Sequence, residues 1–262
     1  MSHATTPAAQ AAQKTEWTPA RRALAVAGTL FIAATWLYFV LVHPADWGQV
    51  TGSGQGIALL AGYGIGTALL LAAVIPLLPA RTLGLIPIAI IINSVVGEIV
   101  GSIGLPLYLD SVGTVLVAAL AGPVAGMATG ALNNVVWALL NPAALPFAAG
   151  AALVGWLAGV FIHHFNALRN IATVIGFGLV LGIVGGMVAA PVAAYVYGGT
   201  AGVGTGALVS LFREMGGSLI ASVTTQAFIS DPVDKVIVML VAYFTVKALP
   251  KRTVAAFAPQ SK

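Results

Sequence analysis

The 262-residue sequence contains no cysteine. That excludes disulfides, thiolate metal sites and a thiol nucleophile. Charge is almost as scarce: only 7% of residues are Asp, Glu, Lys or Arg, against about a quarter in soluble domains, so a water-soluble globular fold is excluded too. No lysine follows a glycine, so the GxxxxGK[ST] loop is absent and the chain is not a P-loop ATPase. HExxH and GxSxG are also missing, and His163 and His164, being adjacent, face different sides of a helix and make poor co-ligands. The reading is a non-enzyme without metal or cofactor. Eleven scattered Lys and Arg residues are a poor match for nucleic acid.

What the sequence does have is apolar length. Hydrophobic residues make up 59% of it and the mean hydropathy is +1.00. The apolar stretches run to about 20 residues, the length of a membrane-crossing helix, rather than the roughly 10-residue alternating segments of a barrel. This predicts an all-α, polytopic membrane protein in the lipid bilayer. Gly-Pro, Asn-Pro and charged breaks place eight spans at about 22–43, 56–79, 84–104, 110–122, 123–141, 147–165, 170–197 and 233–249. The first run is too long for a typical signal core and reads as a retained span.

Residues 198–230 fit no clean span. Their Gly198-Gly199 and Gly202/Gly204/Gly206 cluster is a poor helix former, and Arg213, Glu214, Thr224, Thr225 and Gln226 are polar for a lipid-facing surface. They read as a re-entrant or externally packed segment. The last span would begin with Asp231 as N-cap and Pro232 at the first helical position. Basic residues flank the outermost spans: Lys14, Arg21 and Arg22 before the first, and Lys247, Lys251 and Arg252 after the last. The positive-inside rule then puts both termini in the cytoplasm, with the chain in the cell membrane. The organisation expected is a disordered cytoplasmic tail (1–20), a two-helix N-terminal extension (21–80), a main membrane domain (81–250) and a second cytoplasmic tail (251–262).

Polar groups inside such spans are expensive and need a reason. Glu98 is one, read either as an internal pairing group or as a ligand or coupling carboxylate. Asn133, Trp137 and Asn141 recur at i, i+4 and i+8 on one stripe, suited either to a flat polar heterocycle or to a membrane-interface belt. Asp110, Asp231, Asp234 and Lys235 map to the same outer mouth. Each Asp also has a capping explanation, and Lys235 a pairing one with Asp231 at i, i+4. Arg213 and Glu214 read as a self-satisfying pair. Small residues recur every fourth position: Ala89, Asn93, Gly97 and Gly101; Gly122, Gly126 and Gly130; Gly178, Gly182 and Gly186. Such faces serve either internal helix packing or docking of another protein.

The run from Gly104-Leu105-Pro106 through Asp110-Ser111 to Gly122-Pro123 and Gly126 resembles the substrate-binding S component of energy-coupling factor (ECF) transporters. So does the closing stretch from Asp231-Pro232 and Asp234-Lys235 to Leu249-Pro250-Lys251-Arg252. The resemblance covers residues 82–252. It implies a six-helix S-component bundle on spans three to eight, with the first two spans an N-terminal addition. It also implies capture of a vitamin-like micronutrient at the outer face, and partners that supply the power: a transmembrane coupling protein and two P-loop ATPase subunits. Many S components dock their coupling protein through an Ala-xxx-Ala face on the first helix. Here the matching helix offers Ala89, Asn93, Gly97 and Gly101, with Gly122 and Gly126, or Ala23 and Ala27 on the added helix, as alternatives.

The substrate-binding residues expected are Asp110, Asn133, Trp137 and Asp231, followed by Glu98 and Gln226, around a small, flat, nitrogen-containing ligand. The Gly198–Gly206 segment would be its lid. Two other readings stay open: a stand-alone secondary transporter with Glu98 as a proton-coupling carboxylate, and a membrane ligand sensor.

Overall fold

Glycine and proline decide where the helices of this chain stop. A computed structural model describes residues 16–42, 53–199 and 202–259, and every regular element among them is helical. In chain order these are α1 (Pro19–Val42), α2 (Gly54–Val74) with a 3-10 turn (Ile75–Leu77), α3 (Ala80–Ser102), α4 (Val112–Ala121), α5 (Pro123–Trp137), a second 3-10 turn (Pro142–Phe147), α6 (Ala148–Phe165), α7 (Ile171–Tyr197), α8 (Val203–Glu214), α9 (Leu219–Ala248) and α10 (Lys251–Ala255). The expected N-terminal tail lies mostly outside the described residues. So do the loop carrying Asp46 and Trp47, and Thr200-Ala201 of the glycine-rich segment.

Five helical stretches are long and apolar enough to cross a membrane: Pro19–Val42, Gly54–Leu77, Ala80–Ser102, Pro142–Phe165 and Ile171–Tyr195. This is compatible with a multi-pass membrane protein. With 10 and 15 residues, α4 and α5 are each shorter than the roughly 20 residues that a bilayer core requires. They are separated by Gly122, whose φ of +92° a side chain would strain, and Pro123 then opens α5 at a position where its missing N–H costs nothing.

The last helix departs from the sequence reading. It does not begin at Asp231. It begins after Ser218, whose Oγ accepts from the Ala221 amide at 3.4 Å, and runs 30 residues straight through Pro232. The break falls earlier, at Gly216 (φ +92°) and Gly217. Polarity misled here, because Ser222, Gln226 and Ser230 recur at i, i+4 and i+8 and are all buried against the bundle. A proline inside a membrane helix is tolerated when neighbouring helices cover the weakened turn. That is the arrangement: at Gly182 of α7 an added Cβ would fall 2.5 Å or less from the Asp231 backbone, so the two helices touch at Pro232. The 198–230 region is therefore a separate helix, α8, plus the first turns of α9.

Helix α4 is the central post, buried along nearly its whole length and packed against α3, α5, α6 and α9. Its N-terminus is capped from outside the helix. Ser111 makes no capping bond, and Asn93 of α3 instead accepts from the Gly113 amide at 2.7 Å and donates to Thr114 Oγ1 at 2.9 Å. The small-residue rows make the remaining close approaches. Gly178, Gly182 and Gly186 of α7 lie on α9, and Gly126 and Gly130 of α5 lie on Gly155 and Ala151 of α6. The α1–α2 pair packs beside α5 and makes hydrogen bonds to the bundle, among them Thr29 Oγ1 donating to Met127 Sδ at 3.4 Å and two to backbone carbonyls. Trp36 Nε1 donates to the Val188 carbonyl at 3.1 Å, and Tyr63 Oη donates to the Pro146 carbonyl at 3.3 Å.

Candidate ligand cavity

A cavity of about 160 Å3 lies between α5, the Pro142–Phe147 turn, α6, α7 and α9, closed at one end by the loop before α4. One side is apolar, built from Phe147, Val154, Val223 and alanines of α6 and α7. The other side collects the polar groups, and these come from three separate parts of the sequence.

At that end the loop before α4 and the middle of α9 are tied together. The Tyr108 and Leu109 amides both donate to Asp234 Oδ1, at 2.9 and 2.7 Å. Leu109 has φ +49°, a left-handed conformation uncommon for leucine, and the paired amides hold it there. The other Asp234 oxygen accepts from Lys235 Nζ at 2.6 Å, and the same ammonium lies 3.4 Å from Asp110 Oδ1. Asp234 is fully buried and Lys235 nearly so. The expected Asp231–Lys235 bond is thus replaced by Lys235 with Asp234 and Asp110, because Asp234 is fixed by two backbone amides where the ammonium can reach it. None of the three aspartates caps the start of α9.

Asp231 also faces the cavity. It is buried, with the Lys235 charge one turn further along the helix. No hydrogen-bond donor among the described residues reaches its carboxylate. Gln226, 3% exposed, lines the same cavity with its Nε2 unpartnered, as Ser111 does with its Oγ. Buried polar atoms without partners are rare, and two of them beside a carboxylate that receives no hydrogen bond mark the polar lining as unsatisfied by the protein alone.

Trp137 closes the far side. Its indole Nε1 donates to Glu98 Oε1 at 2.9 Å, and Asn141 Nδ2 donates to the same oxygen at 2.8 Å. Glu98 is itself exposed and does not line the cavity; it holds two residues that do. Gly97 makes room for this: a Cβ there would sit 2.7 Å from the Trp137 ring and 3.1 Å from Asp110 Cβ.

The structure therefore brings Asp110, Trp137, Asp231 and Gln226 together, with Glu98 behind Trp137. Asn133 is not in the lining. It is buried behind it, donating to Asn134 Oδ1 at 3.1 Å, and Asn134 takes its place at the wall, steadied by a 2.8 Å bond to the Ala144 carbonyl. Spacing alone does not separate the two, since residues three and four before Trp137 share its face. Tyr108, Ser111 and Phe147 were also missed, although the first two lie in the Gly104–Gly126 run. Arg213 and Glu214, both exposed, form no ion pair among the described residues.

Of the proposed docking residues, Ala89, Gly97, Gly122 and Gly126 are buried in the chain's own packing. At Gly101 an added Cβ would meet open space. No group of three or more His, Asp or Glu residues suited to a metal occurs among the described residues. Comparison with protein-family models, with curated proteins and with solved structures finds no match to this chain.

Proposed function

We propose that the chain is the substrate-binding subunit of an ECF-type importer in the cell membrane, capturing a vitamin-like micronutrient at the outer face. One observation carries the reading. The two stretches that resemble S components, 104–126 and 231–252, lie over a hundred residues apart, yet they meet as the polar end of one cavity, through Asp234 with Tyr108 and Leu109 and through Lys235 with Asp110. In this reading α3, α4, α5, α6, α7 and α9 form the six-helix unit, α1 and α2 are the addition, and α8 lies on the outer side. Both termini are cytoplasmic. The cavity polar lining binds and orients the ligand, and ATP hydrolysis belongs to the coupling protein's two P-loop ATPases.

The test is purification of the tagged chain from its host membrane in mild detergent, with mass spectrometry of the associated proteins and small molecules. The proposal expects a membrane coupling protein and two P-loop ATPases. A chain that comes down alone, under conditions that preserve other membrane complexes, and that moves solute in liposomes on a proton gradient would replace it with a stand-alone transporter.

A further inference from the structure

We propose that the ligand of this cavity is a small cation, a compact planar ring bearing one protonated amine or amidine that pairs with Asp231 and one acceptor that meets the Gln226 amide. This rests on reading the cavity as a binding site, as set out above.

Charge gives the sign. Three carboxylates, Asp110, Asp231 and Asp234, stand around one ammonium at the polar end. Lys235 is already committed, at 2.6 Å to Asp234 and 3.4 Å to Asp110. Asp231 is left 6% exposed with no donor. Its carboxylate packs on Gly186, where an added Cβ would lie 2.7 Å from Oδ2, so no donor enters from α7. A buried carboxylate without a partner is costly, and a ligand cation removes that cost on binding. An anion would add a fourth negative group to the same end.

Hydrogen bonding gives the second group. Gln226 Nε2 is a buried donor with nothing to donate to, on a residue that is 3% exposed and lines the same void. The ligand must bring an acceptor there. Gln226 and Asp231 are separated by about 7.5 Å along the axis of α9, a distance that one substituted ring spans. Size agrees: the void is about 160 Å3, and a cavity of about 150 Å3 holds a single benzene. Trp137, fixed by Glu98, and Phe147 give the ring aromatic neighbours.

The experiment is calorimetric titration of the full chain in lipid nanodiscs with four probes of nearly equal shape: benzamidinium, benzamide, benzoate and pyridine-4-carboxamidinium. Benzamidinium is expected to bind about tenfold more tightly than benzamide, with benzoate weakest. Pyridine-4-carboxamidinium, which adds a ring acceptor at no cost in size, is expected to bind more tightly still. That last gain should vanish in Gln226→Leu. The preference for the cation should vanish in Asp231→Asn and persist in Asp231→Glu. If Asp231→Asn does not fold, the ranking of the four probes on the unaltered chain decides. Benzamide or benzoate binding as well as benzamidinium overturns the cation assignment and leaves the importer reading standing. Failure of all four to bind overturns the cavity as a ligand site, and the proposal with it.

Discussion

Lys235 Nζ lies 2.6 Å from Oδ2 of Asp234, its immediate neighbour in the chain, inside a helix where the two are buried together. Asp234 also accepts both amides of the Tyr108-Leu109 turn, so one carboxylate fixes the ammonium and the loop. Asp234→Asn should therefore destabilise the fold by about 3–5 kcal/mol, the range for breaking a buried pair. Asp110→Asn, touching the same ammonium at 3.4 Å from a partly exposed position, should lose about 1 kcal/mol or less. Thermal unfolding of the two variants in detergent would show the order; equal losses would mean that Asp234 is not the anchor.

The Glu98 tether predicts a loss of affinity without loss of fold. Glu98→Ala releases both Trp137 and Asn141, whereas Glu98→Gln keeps the accepting Oε1. Benzamidinium affinity should fall about tenfold in the first and about twofold or less in the second. Melting temperatures of both should stay near that of the unaltered chain, since Glu98 is exposed. A Glu98→Ala variant that binds normally would remove Trp137 from the site.

Two glycines of one helix should behave in opposite ways. At Gly182 an added Cβ would meet the backbone at Asp231 and Pro232, so Gly182→Ala should force α7 off α9 and cost about 1–3 kcal/mol. At Gly176 nothing lies within 4 Å, and Gly176→Ala should be neutral or stabilise by about 0.5–1 kcal/mol through better helix propensity. Unfolding in denaturing detergent, run side by side, reads the difference. A neutral Gly182→Ala would show that the α7–α9 contact is loose.

The α1–α2 pair braces the cavity wall. Tyr63 Oη donates to the carbonyl of Pro146, in the turn that carries Ala143, Ala144 and Phe147 to the void. Removing that hydroxyl in Tyr63→Phe should cost about 0.5–1.5 kcal/mol, because the carbonyl loses a donor in a buried setting. The measurement is again the melting curve, compared with Tyr38→Phe, an exposed tyrosine expected to change nothing.

Most helix positions were legible in the sequence for a simple reason. Apolar runs of membrane length, broken by Gly122-Pro123, Asn141-Pro142 and the Asn166–Asn170 turn, admit few alternatives, and α1 to α7 begin and end within a few residues of expectation. The start of α9 was not legible because Asp231-Pro232 is equally good as a helix opening and as a covered interior turn; only the glycines of α7 decide between them. The cavity was half legible. Asp110, Trp137, Asp231 and Gln226 stand out as polar or aromatic groups among alanines, whereas the choice of Asn134 over Asn133 depends on a few tens of degrees of helix rotation. Glu98 was seen as a group needing a reason, and its partner Trp137, 39 positions away, supplies one that no local pattern encodes.

The unbroken run of α9 has a mechanical meaning. From Pro232 to Ala248 it is a rod about 24 Å long, and a tilt of about 5° at the proline sweeps its far end through about 2 Å. Beyond that end the chain turns back, and the Phe257 carbonyl accepts from Thr82 Oγ1 at 2.6 Å, next to the start of α3. The other end of α3 carries Glu98 and, through it, Trp137. Rod, latch and α3 make a closed frame around the void, so the two sides of the protein are geared to each other: whatever shifts Asp231 must also load the joint between Thr82 and Phe257.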